Sequence, residues 1–309
     1  MKSRPILITG ANGFVGQNLV RALNFQGYKV AQLTRAVAPL QAKGALQFSL
    51  DLLDRQLVIK TFLEMQPSCV VHLAAIKNRD DFDLSSGSSY GANMAISENV
   101  IEASRMVTSL DKFIFLGSCD EYGDVDTPFI ETGAERPKGA YGIYKLAITK
   151  RLLQLHSSSG FPAAILRPTV IYGSNQGHEM FLPSLVQALL LGNSFPMTKG
   201  EQRRDFIYID DVVSAIMALI KSEFNGVVIN IGSGQPLSIV EVAKLVAKTI
   251  NPATLPLLQI GALNGRRDEI MNYSVDTSRA KKLLGWSPKI DLEEGLRRVI
   301  GSFNSSAEL

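Results

Sequence analysis

Near the N-terminus the sequence reads Thr9-Gly10-Ala11-Asn12-Gly13-Phe14-Val15-Gly16, between a short apolar run and a segment of helical period. Glycines at a strand-to-helix junction allow a tight turn, and they let backbone amides face a pyrophosphate at the N-terminus of the helix. The spacing is Gly-x-x-Gly-x-x-Gly, which departs from the commoner Gly-x-Gly-x-x-Gly pattern. The turn predicts a dinucleotide site, with a bare turn as the alternative. The residues assigned to that site are Gly10, Asn12, Gly13, Phe14, Val15 and Gly16.

Outward from this turn, the first two thirds of the chain alternate short β-branched runs with longer segments of helical period. The segments are Ile6 to Thr9, Phe14 to Gln26, Lys29 to Leu33, Asp54 to Gln66, Cys69 to Leu73, Ser89 to Met106, Phe113 to Leu116, Tyr141 to His156 and Ala163 to Leu166. This rhythm predicts an α/β fold with a Rossmann-type, doubly wound parallel sheet.

The regularity falls after Pro168, where connections contain glycine and proline. We predict a dinucleotide-binding domain over residues 1–170 and a smaller mixed α/β substrate lobe over residues 171–309, with residues 205–231 returning to the first domain. A helix is expected to start at Ser238, because Ser238 and Glu241 have the spacing of a capping box.

Composition excludes several classes of protein. The 309 residues are 46% hydrophobic and 20% charged, which is ordinary for a globular chain. A net charge of +3 from mixed acids and bases indicates neither a nucleic-acid partner nor a membrane surface. The N-terminus lacks the apolar segment of a signal peptide, so a cytoplasmic protein is expected. Cys69 and Cys119 lack the spacing of a zinc site, and no metal is predicted.

The second and third predicted strands bear on the choice of cofactor. The second ends in Thr34-Arg35, without the acid that recognises the ribose 2′-hydroxyl of NAD. Arg35 can instead pair with a 2′-phosphate, which favours NADP slightly over NAD, although a surface arginine after a strand is commonplace. Asp51 and Leu52 follow the third strand, where they are placed to meet adenine; an ordinary loop acid is an equally good interpretation of Asp51.

A candidate catalytic pair lies further along the chain. Tyr141 and Lys145 are four residues apart, on one face of a predicted helix, where the ammonium can stabilise a phenolate. Such pairs also arise on solvated helix faces. The preceding strand ends at Gly117-Ser118, at the sheet edge where open parallel sheets bind ligands. Ser118 could therefore donate a hydrogen bond to a substrate oxygen while Tyr141 transfers a proton.

Together these elements resemble the extended short-chain dehydrogenase/reductase family, the NAD-dependent epimerases, dehydratases and reductases of nucleotide sugars, along nearly the whole chain. Matching elements are Thr9 to Gly16, Asp51, His72 to Lys77, Asn93, Ser118, Tyr141 with Lys145, Arg167 to Gly173, Gly200 to Asp211, Gly232 to Gly234 and Leu284 to Pro288. The resemblance implies a homodimer acting on a nucleotide diphosphate sugar.

The same resemblance implies further site residues. Those lining the cofactor cleft would be Leu73, Ala74, Ala75, Lys77, Asn93, Tyr141, Lys145, Pro168 and Val170. Ser118, Cys119 and Asp120 would face the sugar. Arg204 and Arg266 would clamp the diphosphate, because guanidinium groups make charge-assisted, often bidentate bonds with phosphates. Either arginine could instead be an ordinary surface cation.

The residues after Ser118 bear on the reaction. The 4,6-dehydratases of this family carry an Asp-Glu pair where this chain has Cys119 and Asp120. The run from Gly117 to Gly123 instead resembles the Gly-Ser-Ser-Glu-Glu-Tyr-Gly of 4-keto-6-deoxy-mannose nucleotide reductases. Val170 replaces an asparagine that many epimerases have. With Arg35, these residues favour a 4-ketoreductase over a 4-epimerase that retains NAD. A non-catalytic dinucleotide sensor is a remote alternative.

Overall fold

The computed structural model describes residues 4–35, 46–76, 88–265 and 269–306. The helices are α1 (Phe14–Phe25), α2 (Arg55–Met65), α3 (Ser88–Arg105), α4 (Gly139–Ser159), α5 (Phe181–Leu190), α6 (Ile209–Lys221), α7 (Ile239–Ile250), α8 (Ser278–Leu284) and α9 (Leu292–Ser306). Short 3₁₀ helices cover Cys119–Glu121 and Pro252–Leu257. Across these ranges, no helix is both long and apolar enough to span a membrane.

The strands alternate with these helices in the first part of the chain. They are β1 (Ile6–Thr9), β2 (Val30–Thr34), β3 (Leu46–Ser49), β4 (Cys69–His72), β5 (Lys112–Leu116), β6 (Ala163–Pro168), β7 (Val170–Tyr172), β8 (Phe195–Met197), β9 (Arg203–Arg204), β10 (Phe206–Tyr208), β11 (Val227–Ile231), β12 (Leu237–Ser238), β13 (Leu258–Ile260) and β14 (Asn272–Tyr273).

Seven strands form one parallel sheet, in the order β3-β2-β1-β4-β5-β6-β11. Strands β1, β2, β4, β5 and β6 are buried along their whole length, as expected of a sheet covered on both faces. Apolar residues of α1 and α6 pack on one face, and those of α2, α3 and α4 on the other. The predicted Rossmann-type, doubly wound sheet is thereby confirmed.

The topology decides where a ligand can bind. The order reverses beside β1, whose neighbours are β2 and β4, and the crevice at such a switch point is where open α/β sheets bind ligands. Strand β11 pairs with β6 at the edge of the sheet, so the chain re-enters the sheet after residue 205. The boundary at residue 170 stays a prediction.

Beyond the seven-stranded sheet, the described part of the chain forms smaller sheets and helices. Strands β12, β9 and β14 make a three-stranded sheet, while β10 pairs with β7 and β13 with β8. Helix α7 begins as predicted, because the Ser238 hydroxyl accepts from the Glu241 amide at 3.2 Å and the Glu241 carboxylate accepts from the Ser238 amide at 2.8 Å. The buried Asp211 accepts from the amides of Lys289 and Ile290, both at 3.0 Å, which fixes the C-terminal segment against α6.

Candidate active site

The glycine turn forms a backbone cradle at the start of α1. Gly13 is the N-cap of α1, and among the described residues no side chain caps the first amides of this helix. Asn12 and Gly13, directly before the helix, are exposed, and the N-terminus of a helix favours an anion. Gly10 has φ of +70°, a conformation that suits glycine. The pyrophosphate site predicted at this turn stays a prediction.

The end of β4 closes the other side of this cradle. A Cβ at Gly10 would lie 2.8 Å from the amide nitrogen of Ala74, so the two backbones touch. The Thr9 hydroxyl accepts from the amides of Leu73 and Ala74, each at 3.2 Å. Leu73 and Ala74, both assigned to the cofactor cleft from sequence, therefore lie directly beside the turn.

Asn93 supports this wall from α3. Its side-chain oxygen accepts from the amide of Ile76 at 2.7 Å, and its side-chain nitrogen donates to the Ile76 carbonyl at 2.8 Å. The predicted cofactor residue Asn93 thus holds the segment containing Ala75 in place. Lys77 lies outside the described residues.

The residues that the sequence analysis assigned to the adenosine end of the cofactor follow β2 and β3. Arg35 comes directly after β2, and its side chain is exposed. Its carbonyl accepts from the Ser49 hydroxyl at 3.1 Å, which ties the two strand ends together. Asp51 is exposed and accepts from the amide of Leu53 at 3.0 Å, whereas Leu52 is buried. The sheet therefore brings Arg35 and Asp51 to the same edge.

Ser118 begins the 3₁₀ turn that follows β5. Its hydroxyl accepts from the Asp120 amide at 3.1 Å and donates to the Asp120 carboxylate at 3.0 Å. Its side chain is nearly buried, and Cys119 behind it is buried. The turn thus places one hydroxyl, one thiol and one carboxylate at the carboxyl edge of β5.

Helix α4 presents Tyr141 and Lys145 to the same edge. The Lys145 ammonium lies 5.5 Å from the centre of the Tyr141 ring and donates to the Leu116 carbonyl at 2.6 Å. Because Leu116 is the last residue of β5, this bond joins α4 to the strand that carries Ser118. In the i, i+4 pair predicted from sequence, Lys145 is therefore buried against the sheet, and Tyr141 is partly buried.

The electrostatics of the site favour a neutral Tyr141. Burial raises the pKa of its phenol well above the ordinary value, and the nearby Asp120 carboxylate raises it further. A protonated phenol is the form that can donate a proton. The same Asp120 carboxylate accepts a hydrogen bond from the Ser118 hydroxyl.

A buried hydrogen-bonded chain lies behind the site, and sequence reasoning did not find it. The His72 ring bonds the Thr9 hydroxyl through Nδ1 at 2.7 Å and the Ser97 hydroxyl through Nε2 at 3.0 Å. Ser97 in turn meets the hydroxyl of Tyr144 at 3.1 Å. Burial, with a contribution from Lys145, lowers the pKa of His72 to about 3, so the ring is neutral. The sequence did carry a signal for this chain, because the polar residues Thr9 and His72 end the apolar strands β1 and β4.

The predicted diphosphate ligand Arg204 lies in β9, the middle strand of the small three-stranded sheet. Its guanidinium is 4.8 Å from the centre of the Tyr273 ring and pairs with Glu269 at 2.9 Å. Tyr273 belongs to the same apolar cluster as Cys119, and burial together with Asp120 raises its pKa. Tyr273 therefore connects Arg204 to the turn after Ser118, a role that sequence reasoning missed.

The last residues assigned from sequence are Pro168, Val170 and Arg266, of which the first two lie within the described residues. Pro168 ends β6 at the carboxyl edge of the sheet, and Val170 pairs with Phe206 and donates its amide to the Asp205 carbonyl at 3.0 Å. Arg266 lies outside the described residues, so its predicted contact with the diphosphate stays a prediction.

Comparison with known proteins gives a consistent picture. A model described as the NAD dependent epimerase/dehydratase family matches residues 6–232. CDP-abequose synthase of Salmonella muenchen is 25% identical over 96% of this chain and 97% of its own length. dTDP-glucose 4,6-dehydratase of Haemophilus influenzae is 25% identical over 98% of this chain and 99% of its own.

Among solved structures, UDP-glucuronic acid 4-epimerase from Bacillus cereus, in complex with UDP-glucuronic acid and NAD, is 26% identical to this chain. The match covers 98% of this chain and 99% of the epimerase, with a TM-score of 0.87. The resemblance inferred from the motifs is confirmed.

Proposed function

Because the chain belongs to the NAD dependent epimerase/dehydratase family, we propose that it reduces the C4 ketone of a nucleotide-linked 4-keto-6-deoxy sugar with NADPH. The observation that carries this proposal is Cys119. A buried thiol stands at the position where, as the family resemblance implies, the 4,6-dehydratases carry the first acid of their Asp-Glu pair. Asp120 remains, but its carboxylate is bonded to the Ser118 hydroxyl.

The residues of the site can perform the reductive step. The amides at the start of α1 would hold the pyrophosphate of the cofactor, which supplies hydride when it is bound. Ser118 would donate a hydrogen bond to the C4 carbonyl oxygen and orient it. Tyr141 would donate its proton to the same oxygen as hydride reaches C4, and the ammonium of Lys145 would stabilise the phenolate that remains.

On the substrate side, Arg204 and Arg266 would hold the diphosphate. Arg204 is only partly buried, so its guanidinium can exchange Glu269 for a phosphate without burying an unpaired charge. Tyr273, which lies against both Arg204 and the cluster around Cys119, would contact the sugar between them.

A 4-epimerase that retains NAD is the second candidate, favoured by the similarity to the Bacillus cereus epimerase. A panel of nucleotide sugars and their 4-keto derivatives separates the two, with NADPH absorbance and product stereochemistry followed together. The reductase should consume NADPH in proportion to the 4-hydroxy product. Interconversion of 4-hydroxy epimers without net consumption of NADPH would contradict the reductase and support the epimerase.

The preference for NADPH is assigned to Arg35. In Arg35→Ala we expect the Kd for NADPH to rise about 10- to 100-fold, which corresponds to the loss of one charge-assisted hydrogen bond. The Kd for NADH should change little, because NADH has no 2′-phosphate. Isothermal titration with both cofactors measures the difference, and Lys60→Ala on the exposed face of α2 is the matched control for a lost surface cation. Equal losses for the two cofactors would remove the assignment to NADP.

We also propose a homodimer formed through α3 and α4, as the resemblance implies. Sedimentation equilibrium measures it directly, and a monomer at all accessible concentrations would contradict it.

A further inference from the structure

We propose that Glu121 is a positioning residue, whose buried carboxylate fixes the backbone of Ser118 in its catalytic conformation and is itself held by Arg167. The inference rests on the catalytic role of Ser118 in the proposed function. It concerns the shape of the turn, however, and can be tested without turnover.

The contacts of Glu121 occupy both of its carboxylate oxygens. The residue is fully buried and ends the 3₁₀ turn that Ser118 begins. Its Oε1 atom accepts from the Ser118 amide at 2.9 Å. Its Oε2 atom accepts from Nε of Arg167 at 2.8 Å and lies 2.7 Å from Nη2 of the same residue. One carboxylate thus joins the candidate catalytic serine to a buried guanidinium.

Gly117 provides the space for this contact. A Cβ at residue 117 would lie 2.3 Å from Oε1 of Glu121, closer than real side chains approach. The preceding residue, Leu116, is bonded through its carbonyl to Lys145. The segment from Leu116 to Ser118 is therefore held from two sides, by the lysine of the catalytic pair and by Glu121.

Arg167 is in turn fixed from several directions. It is fully buried in β6, and its guanidinium lies 4.5 Å from the centre of the Tyr122 ring. It also bonds Glu135 at 2.6 Å, and Glu135 pairs with Lys150 at 3.3 Å. The anchor for Ser118 is therefore attached to the central sheet.

The energetics favour a positioning role over a purely stabilising one. Burial raises the pKa of Glu121, and the Arg167 guanidinium opposes that shift and favours the ionised form. A fully buried ion pair gains little net stability over well-packed apolar residues, because both charges lose their hydration. What it provides here is a directed pair of acceptors, one for the serine amide and one for the guanidinium.

The hydrogen-bonding chemistry of the Glu121 carboxylate suggests a substitution that tests its role specifically. A carboxylate offers two acceptor oxygens, whereas an amide offers one acceptor and one donor. In Glu121→Gln, the amide can turn its oxygen toward Arg167, and its NH₂ group then faces the Ser118 amide, which is also a donor. In the opposite orientation the oxygen faces Ser118 and the NH₂ group faces the guanidinium. The variant cannot satisfy both donors, although its size is unchanged.

The matched control is Glu135→Gln, which removes the other carboxylate from Arg167 but does not touch Ser118. We expect Glu121→Gln to lower kcat about 100-fold, as a small displacement of a catalytic group does, with the KM for cofactor little changed. Exchange of the Ser118 amide, followed by hydrogen-exchange NMR, should become faster in this variant only. Glu135→Gln should retain most of the wild-type kcat. If the two variants show the same kcat and the same Ser118 exchange rate, the positioning role is refuted.

A second pair of variants covers the case in which Glu121→Gln does not fold. Glu121→Gln/Arg167→Met and Glu121→Leu/Arg167→Met both lack the buried charges, and only the first keeps an oxygen for the Ser118 amide. The leucine variant should exchange this amide faster and turn over more slowly than the glutamine variant. Equal exchange in both would overturn the proposal. A wild-type protein inactive on the whole sugar panel would refute the proposed function instead, and the exchange comparison would still decide the role of Glu121.

Discussion

Tyr141→Phe should lower kcat about 1,000-fold, the loss expected when a positioned proton donor is removed. The change deletes one hydroxyl and keeps the ring beside the Lys145 ammonium, so the packing of α4 should survive. Cofactor affinity should stay close to that of the wild type, because the glycine turn, where we propose that the pyrophosphate binds, does not include Tyr141. Single-turnover kinetics with the preferred nucleotide sugar, together with cofactor titration, measure both quantities.

The same helix offers a matched control. Tyr144→Phe removes a hydroxyl three residues away, one that bonds Ser97 in the buried chain behind the site. That loss should cost about 1 kcal/mol of stability through one hydrogen bond, while kcat stays near the wild-type value. Wild-type turnover in Tyr141→Phe, or an equal loss in both variants, would show that the proton comes from another group.

Features set by local spacing were predictable from sequence. The glycine turn lies between an apolar run and a helical one, and the Tyr141 and Lys145 pair lies on one helical face; both signals extend over fewer than about ten residues and need no knowledge of the tertiary fold. The doubly wound sheet follows from the alternation of such signals. These elements are where the expectation and the structure agree.

Features that depend on contacts between distant segments were not predictable. Arg167 was noted only as part of a motif, because its partner Glu121 is 46 residues away in the sequence and only the fold brings the two side chains together. Likewise, the pairing of Arg204 with Glu269 joins residues 65 positions apart, and the two-residue strand that carries Arg204 is too short to show a periodicity. A sequence pattern can identify which residue belongs to a site. Which other side chain that residue contacts is determined by the topology of the fold.

Gly16→Ala should lower both the stability of the protein and its affinity for the cofactor. Gly16 lies within α1, where alanine would ordinarily be favoured by up to about 1 kcal/mol. Here, however, a Cβ would lie 2.3 Å from the Gly10 carbonyl oxygen and 2.7 Å from Cα of Ala11. The helix would have to move away from the turn, and such overpacking costs about 1–3 kcal/mol, which outweighs the helical preference of alanine.

The displacement should also weaken cofactor binding, because the amides at the start of α1 would move with the helix. Losing alignment of even one or two hydrogen bonds to a pyrophosphate corresponds to about 10- to 100-fold in Kd. Gly301→Ala is the matched control, since Gly301 is an exposed glycine of α9 with no described atom within 4 Å of its Cβ position. Gly301→Ala should raise the free energy of unfolding slightly and leave the Kd unchanged. If Gly16→Ala behaves in the same way in urea unfolding and cofactor titration, the close contact between α1 and the turn does not limit binding, and the glycine there serves only local flexibility.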